Sequence, residues 1–275
     1  MRFNLDGFSA GAANRLLLAA IHALPPKQTR GVAKGTCSEN GIIITAESLC
    51  RGLRVCVHLE EGGILNSYEV QEGGFQFGIS LGSLAAALKE GDNLQVVIDD
   101  EWVRVRRDET DGVYMEIRTH LRELSGEHVD QSSETLPNYP LALVIATDLL
   151  SYVLSEVQST LGAYSESLVK ISVRADSGIC VSGEEVSTGQ SFRVDVPNRA
   201  FRTETDSSFF SLRPFESMII CFKAWTLLSV SKFLNVIPGE KVVKLNLNEN
   251  GLFLKTNLPG GRASHSSLCI SAAVG

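Results

Sequence analysis

One succession of periodicities runs through this chain twice, and that doubling limits the folds open to it more than any single motif does. In the first half, a short extended start at 3–8 precedes a helix near 9–24, where Ala13, Leu17, Ala20 and Leu24 recur at helical spacing until Pro25-Pro26 ends the run. Alternating segments follow. They turn at Asn40-Gly41, a hairpin dipeptide, and continue through 53–59, 64–70 and 75–79. A second helix at about 81–89 and strands at 94–98, 102–106 and 113–121 complete the half.

The second half repeats the order with little sequence identity. A strand at 141–146 leads to Thr147 as helix N-cap, Asp148 in the first turn, and the stripe Leu150, Val153, Val157 and Leu161. Val169, Ile171 and Val173 then alternate with Lys170, Ser172 and Arg174, and a turn at Ser177-Gly178 stands where Asn40-Gly41 stood. Further strands at 179–182, 191–196 and 218–222, a helix at about 224–237 broken by Pro238-Gly239, and strands at 242–247, 252–256 and 267–271 repeat the earlier ending. Residues 123–138 are polar and acidic without an apolar period, so the reading is an α+β chain of two similar domains, 1–122 and 139–275, joined by a linker at 123–138.

Composition narrows the function. A net charge of −7 is wrong for a surface that coats nucleic acid throughout, so any DNA contact must be local. The six cysteines form no C-x-x-C pair and have no histidine at ligand spacing, which predicts neither a zinc site nor a disulfide scaffold. The apolar runs at 16–21 and 141–146 are far shorter than the roughly 20 residues of a membrane span. An acid at position 6 interrupts the place of a signal peptide's apolar region, and together these features predict a soluble intracellular protein.

Two motifs invite an enzymatic reading. Gly7-Phe8-Ser9-Ala10-Gly11 matches the G-x-S-x-G nucleophile elbow, but only one strand can precede Ser9, and that fold draws its oxyanion-hole loop from an earlier strand. A helix start with small residues explains it better. Asp99-Asp100-Glu101 offers carboxylates for a nuclease metal, yet successive strand residues point to opposite faces and an acidic tight turn accounts for all three. Arg104, Arg106 and Arg107 read as a basic strand face, solvated or turned toward DNA or an acidic neighbour. The five histidines form no pair at metal spacing, so no catalytic residue, metal site or cofactor is expected.

A strand, a helix, four strands, a helix and three strands, given twice around a polar linker, is similar to a protomer of the eukaryotic replication clamp family. Within it, 38–47 (SENGIIITAE) and 69–79 (EVQEGGFQFGI) most resemble the Rad-one-type subunit of the nine-one-one checkpoint clamp. The resemblance implies the DNA-clamp fold, two helices per domain packed on antiparallel sheets. It further implies a nuclear heterotrimeric ring with two related clamp subunits, which encircles double-stranded DNA without reading sequence. Such a ring is loaded by a clamp loader, scaffolds repair and checkpoint proteins, and uses no cofactor and no membrane.

Carried onto this chain, the resemblance makes Arg15, His22, Lys89, Lys223 and Lys232 the DNA-facing cations on the helices. The third helix offers only Asp148, Ser151, Ser155, Glu156 and Gln158, which favours a ring completed by other chains over a homotrimeric processivity clamp. Subunit edges would be 113–121, with Val113, Tyr114, Met115 and Ile117, and 191–196, with Phe192 and Val194, although either could be an inner strand. A partner-peptide groove would lie around Ile42, Ile44, Leu136 and Pro259.

Overall fold

The computed structural model describes residues 1–24, 32–50, 52–70, 74–88, 93–108, 114–122, 141–163, 165–174, 178–197, 200–202, 218–236, 242–257 and 265–273. Lys89, Val113, Leu136, Pro259, Ser177 and the linker at 123–138 lie outside them, as does the side chain of Tyr114. The chain is α+β and divides into two compact units. The first takes in Met1–Leu49, Arg54–Glu134 and Asn257–Ser267; the second takes in Cys50–Leu53, Thr135–Thr256 and Leu268–Gly275.

In the first unit, β1 (Arg2–Leu5) leads into α1 (Gly7–Ala23), followed by β2 (Ala33–Ser38), β3 (Gly41–Glu47), β4 (Leu53–Glu60), β5 (Asn66–Glu69) and β6 (Phe75–Ile79). Then come α2 (Leu81–Ala87), β7 (Leu94–Ile98), β8 (Trp102–Asp108) and β9 (Tyr114–His120). The second unit runs β10 (Leu141–Ala146), α3 (Thr147–Leu161), β11 (Leu168–Arg174), β12 (Gly178–Glu185), β13 (Gln190–Val196), β14 (Phe201–Arg202) and β15 (Met218–Lys223). Its last elements are α4 (Ala224–Leu234), β16 (Val242–Asn248), β17 (Gly251–Asn257) and β18 (His265–Ser271), of which Asn257 and 265–267 are grouped with the first unit. Each unit thus places five strands between its helices rather than four. In the second unit the strand that the periodicity does not mark is short: β14 has two residues, paired with Val144 and Ile145 of β10.

Neighbour relations repeat as well as order. The first unit has strand runs β5-β1-β7-β8-β9 and β4-β3-β2-β6, and the second has β14-β10-β16-β17-β18 and β13-β12-β11-β15, the same positions in the same sequence. A single hydrogen bond repeats too. Arg122, two residues past β9, donates its N–H to the Gly78 carbonyl at 2.9 Å, and Ala273, two residues past β18, donates to the Cys221 carbonyl at 2.7 Å. Gly78 and Cys221 both lie three residues before a helix.

Local chemistry sets the helix boundaries. The Asp6 carboxylate accepts from the Ser9 amide at 2.7 Å, so α1 begins at Gly7, earlier than the apolar stripe predicts, and β1 stops at Leu5. Leu24 becomes its C-cap. The alanines of α1, among them Ala12, Ala13, Ala19, Ala20 and Ala23, are buried and let the helix pack against α2. Asn14 extends that contact, donating from Nδ2 to the carbonyls of Ala85 and Leu88 at 2.8 Å each, where α2 runs out of intrahelical partners. Thr147 is the first residue of α3 rather than its N-cap, a place held by Ala146 with no side-chain hydrogen bond. α4 ends at Leu234, three residues short of the expected limit, with Asn235 as C-cap.

The first hairpin turns one residue earlier than Asn40-Gly41 suggests. Ser38 pairs with Gly41, so Glu39-Asn40 is the loop and Gly41 opens β3 at φ +133°. A Cβ there would stand 2.2 Å from the Leu59 carbonyl oxygen, so both the dihedral and the neighbouring strand require glycine. The second unit repeats the tripeptide at Glu249-Asn250-Gly251, where a Cβ on Gly251 would meet the Ile270 carbonyl oxygen at 2.2 Å. Tyr68 locks the first hairpin, its hydroxyl 2.8 Å from the Ser38 oxygen and 3.0 Å from that of Gly41. Gly41→Ala is expected to cost on the order of 2 kcal/mol. Urea unfolding measures it, and a midpoint equal to that of the parent chain would refute the close approach to Leu59.

Candidate assembly and nucleic-acid surfaces

β9 and β13 end their runs, each hydrogen-bonded to one strand among the described residues, β8 and β12 respectively. Each is seven residues long. An unpaired edge of that length exposes a row of amides and carbonyls ready to accept another strand. Register places Met115 opposite Arg107 and Ile117 opposite Val105, on the face where Val103 and Val105 are buried. Met115 is 43% exposed and Ile117 is half-buried, so the edge carries apolar surface beside its open backbone.

On β13, Phe192 and Val194 are half-buried and alternate with the exposed ion pair of Arg193 and Asp195. Phe192 lies over Gly183: a Cβ there would be 2.8 Å from the Phe192 ring and 3.2 Å from Leu161 of α3. The glycine lets the ring settle against the helix. Arg193 on the same strand and, from β12, the Cys180 thiol both bond the Asp195 carboxylate, which lowers its pKa.

The helix cations are unevenly placed. Arg15 is half-buried in α1 and His22 is exposed in its last turn; Lys232 is half-buried in the last turn of α4. Lys223 is not on the body of α4 but at its N-cap position, with its ammonium 2.6 Å from Glu166. α3 exposes Asp148, Tyr152, Ser155, Gln158 and Ser159. Two of its hydroxyls are already committed, Ser155 to the Tyr152 carbonyl at 2.7 Å and Ser159 to that of Glu156 at 3.1 Å.

Several sequence candidates lie elsewhere than expected. Ile42 and Ile44 are 3% and 2% exposed, core residues of β3, and it is Ile43 between them that is partly exposed on the opposite face. Arg104 and Arg106 share one face of β8, but Arg107 is on the other, because side chains alternate along a regular strand; the three do not form a single basic face. Arg104 is bonded to Asp99 and Arg118 of β9 to Glu116. Trp102 packs edge-on to His120 with ring centroids 4.7 Å apart.

Ser9 has no exposed surface and sits in the first turn of α1. Asp99 builds the expected turn between β7 and β8, its Oδ1 accepting from the amides of Glu101 at 3.1 Å and Trp102 at 2.8 Å. Among the described residues no group of His, Cys, Asp or Glu could hold a metal, and none of the six cysteines is in a disulfide. A cavity of about 40 Å³ in the second unit is lined only by aliphatic side chains, including Ile145, Leu154, Ile171, Leu227 and Leu245. It has no polar group with which to orient a substrate.

Sequence reasoning missed a carboxylate-centred cluster. Glu185 accepts from the hydroxyls of Ser165 at 2.9 Å, Ser167 at 2.8 Å and Ser187 at 2.9 Å, tying the segment after α3 to the β12–β13 turn. These partners are eighteen to twenty residues away on one side and two on the other, so no local spacing announces them. Hydrogen bonds from Ser167, then Ser165 and Ser187, lower the Glu185 pKa below its ordinary 4.5. The sign follows: a carboxyl that titrates lower when folded supports folding above its unfolded value, and that support is lost as pH falls through the folded midpoint. The Ser187 amide, followed by NMR, is therefore expected to titrate with a midpoint below 4.5 that rises in Ser167→Ala. A midpoint unmoved by that substitution would show that the hydroxyls do not hold the charge. No protein-family model and no curated protein matches this chain.

Proposed function

We propose that this chain is one subunit of a heterotrimeric DNA-damage checkpoint sliding clamp, a nuclear ring that encircles double-stranded DNA and scaffolds repair and signalling proteins. The observation that carries the proposal is the doubling: two units with the same element order and strand neighbours, offering two open seven-residue edges, β9 from the first and β13 from the second. An edge of one kind meeting an edge of the other on the next protomer is a head-to-tail contact, and such contacts close into rings when the rotation permits. In this reading Met115, Ile117, Phe192 and Val194 are covered between subunits.

The helix census supports partners of another sequence. A hole that faces DNA phosphates needs cations, and α3 has none, so three copies of this chain would carry three such helices. A ring shared with more basic relatives avoids that. The role is that of a scaffold without catalytic step, cofactor or metal; it needs a loader to open it and a surface on which repair proteins dock. Because one chain carries both kinds of edge, a homotrimeric processivity clamp is the second reading.

Size exclusion with native mass spectrometry separates the two. The chain alone is expected as a single protomer, and as a ring of one copy each when two clamp-family subunits of the same cell are supplied. A stable homotrimer of the isolated chain would replace the first reading with the second. Ile117→Asp puts a charge on the covered edge and is expected to weaken assembly by roughly tenfold or more, with the circular dichroism of the protomer unchanged. Assembly at parent strength would remove β9 from the interface.

A further inference from the structure

Lys223 closes β15 and stands at the N-cap of α4, and the segment that supplies its partner is held from two sides. Ser165 and Ser167 donate their hydroxyls to Glu185, while their carbonyls accept from the first amides of α4: Ala224 to Ser167 at 2.9 Å and Trp225 to Ser165 at 3.2 Å. Glu166 lies between two residues that are each hydrogen-bonded through both hydroxyl and carbonyl. Its carboxylate meets the Lys223 ammonium at 2.6 Å, with the two side chains 62% and 45% exposed.

Those bonds change what the start of α4 can offer an anion. The amides of Ala224 and Trp225 are spent on carbonyls, which leaves the ammonium of Lys223 as the charged group there that a phosphate could contact, and a carboxylate already sits on it. We propose that Glu166 is a built-in competitor for the DNA phosphate that Lys223 would otherwise contact, which makes this contact weak and readily exchanged. This rests on the reading of Lys223 as DNA-facing. An exposed ion pair shifts an equilibrium by at most about fivefold, so Glu166 tempers the contact and does not abolish it. A ring that must slide is served by contacts of that strength.

Anisotropy of a labelled DNA duplex, titrated over a series of salt concentrations with the ring assembled from this chain and its two clamp-family partners, tests the competition. Glu166→Gln is expected to bind about two- to fivefold tighter at low salt and to steepen the dependence of log affinity on log salt by up to about one. Adding Lys223→Gln should erase both gains. Glu166→Gln binding no tighter than the parent overturns the proposal, and so does a gain that persists without Lys223, since removing any negative charge would then suffice. Arg15→Gln and Lys232→Gln report on the underlying reading. If they weaken binding while Glu166→Gln does nothing, the helices face DNA and Glu166 is no competitor; if they too leave binding unchanged, the DNA-facing assignment falls with the proposal.

Discussion

A Cβ on Gly78 would stand 2.3 Å from the carbonyl oxygen of Arg122, closer than any side chain permits, and that close approach ties together the two sheets of the first unit. β6 is an edge strand of one run and β9 an edge strand of the other, and the tail of β9 reaches β6 through the Arg122–Gly78 hydrogen bond. In the second unit Ala273 makes the same bond to Cys221, where the residue is not glycine. A backbone bond asks little of sequence, so two units of low identity can share it. What is retained is the pattern of inward-facing residues and the points at which the chain turns back.

How much of this was legible follows from where each cause lies. Periodicity is a local property, so Leu150, Val153, Val157 and Leu161 mark the buried stripe of α3 directly, and Leu94, Val96 and Ile98 mark the inner face of β7. Boundaries depend on side chains outside the stripe. Asp6 starts α1 two residues before the expected point, and no stripe can register a capping carboxylate. The E-N-G tripeptide identifies a turn, but its placement is settled by Leu59, eighteen residues downstream, whose carbonyl excludes any Cβ at Gly41. β14 was illegible for the same reason: two residues have no period, and pairing with β10 alone defines them.

The candidate site was legible only in outline. Alternation predicts that Phe192 and Val194 share a face, and they do, but nothing in the spacing reveals that Gly183 makes room for the Phe192 ring or that β13 ends its run. Ile42 and Ile44 satisfy the same alternation and are core, on a strand whose two edges are both paired, to β2 and β4. Apolar alternation locates a face; only topology decides whether the face is spare. Lys223 makes the corresponding point for charge. Its position beside a helix is readable, whereas its engagement by Glu166 depends on a serine pair held by Glu185.

If the chain is a clamp subunit as proposed, that engagement bears on how a protein of net charge −7 would stay on a polyanion and still move along it. Affinity from counterion release grows with the number of phosphates neutralised, so a surface built for tight binding multiplies cations and strips them of internal partners. Here α3 presents hydroxyls bonded to its own backbone, and Lys223 is matched by a carboxylate from a pinned segment. On the clamp reading, both would lower the cost of leaving one phosphate for the next. Under the ring reading, retention then comes from closure of β9 and β13 edges with neighbouring subunits, and the interior can remain weakly attractive because topology holds the DNA. The apolar residues at those edges and the sparse cations on the helices are then two sides of one division of labour, strong contacts between proteins and weak ones to DNA.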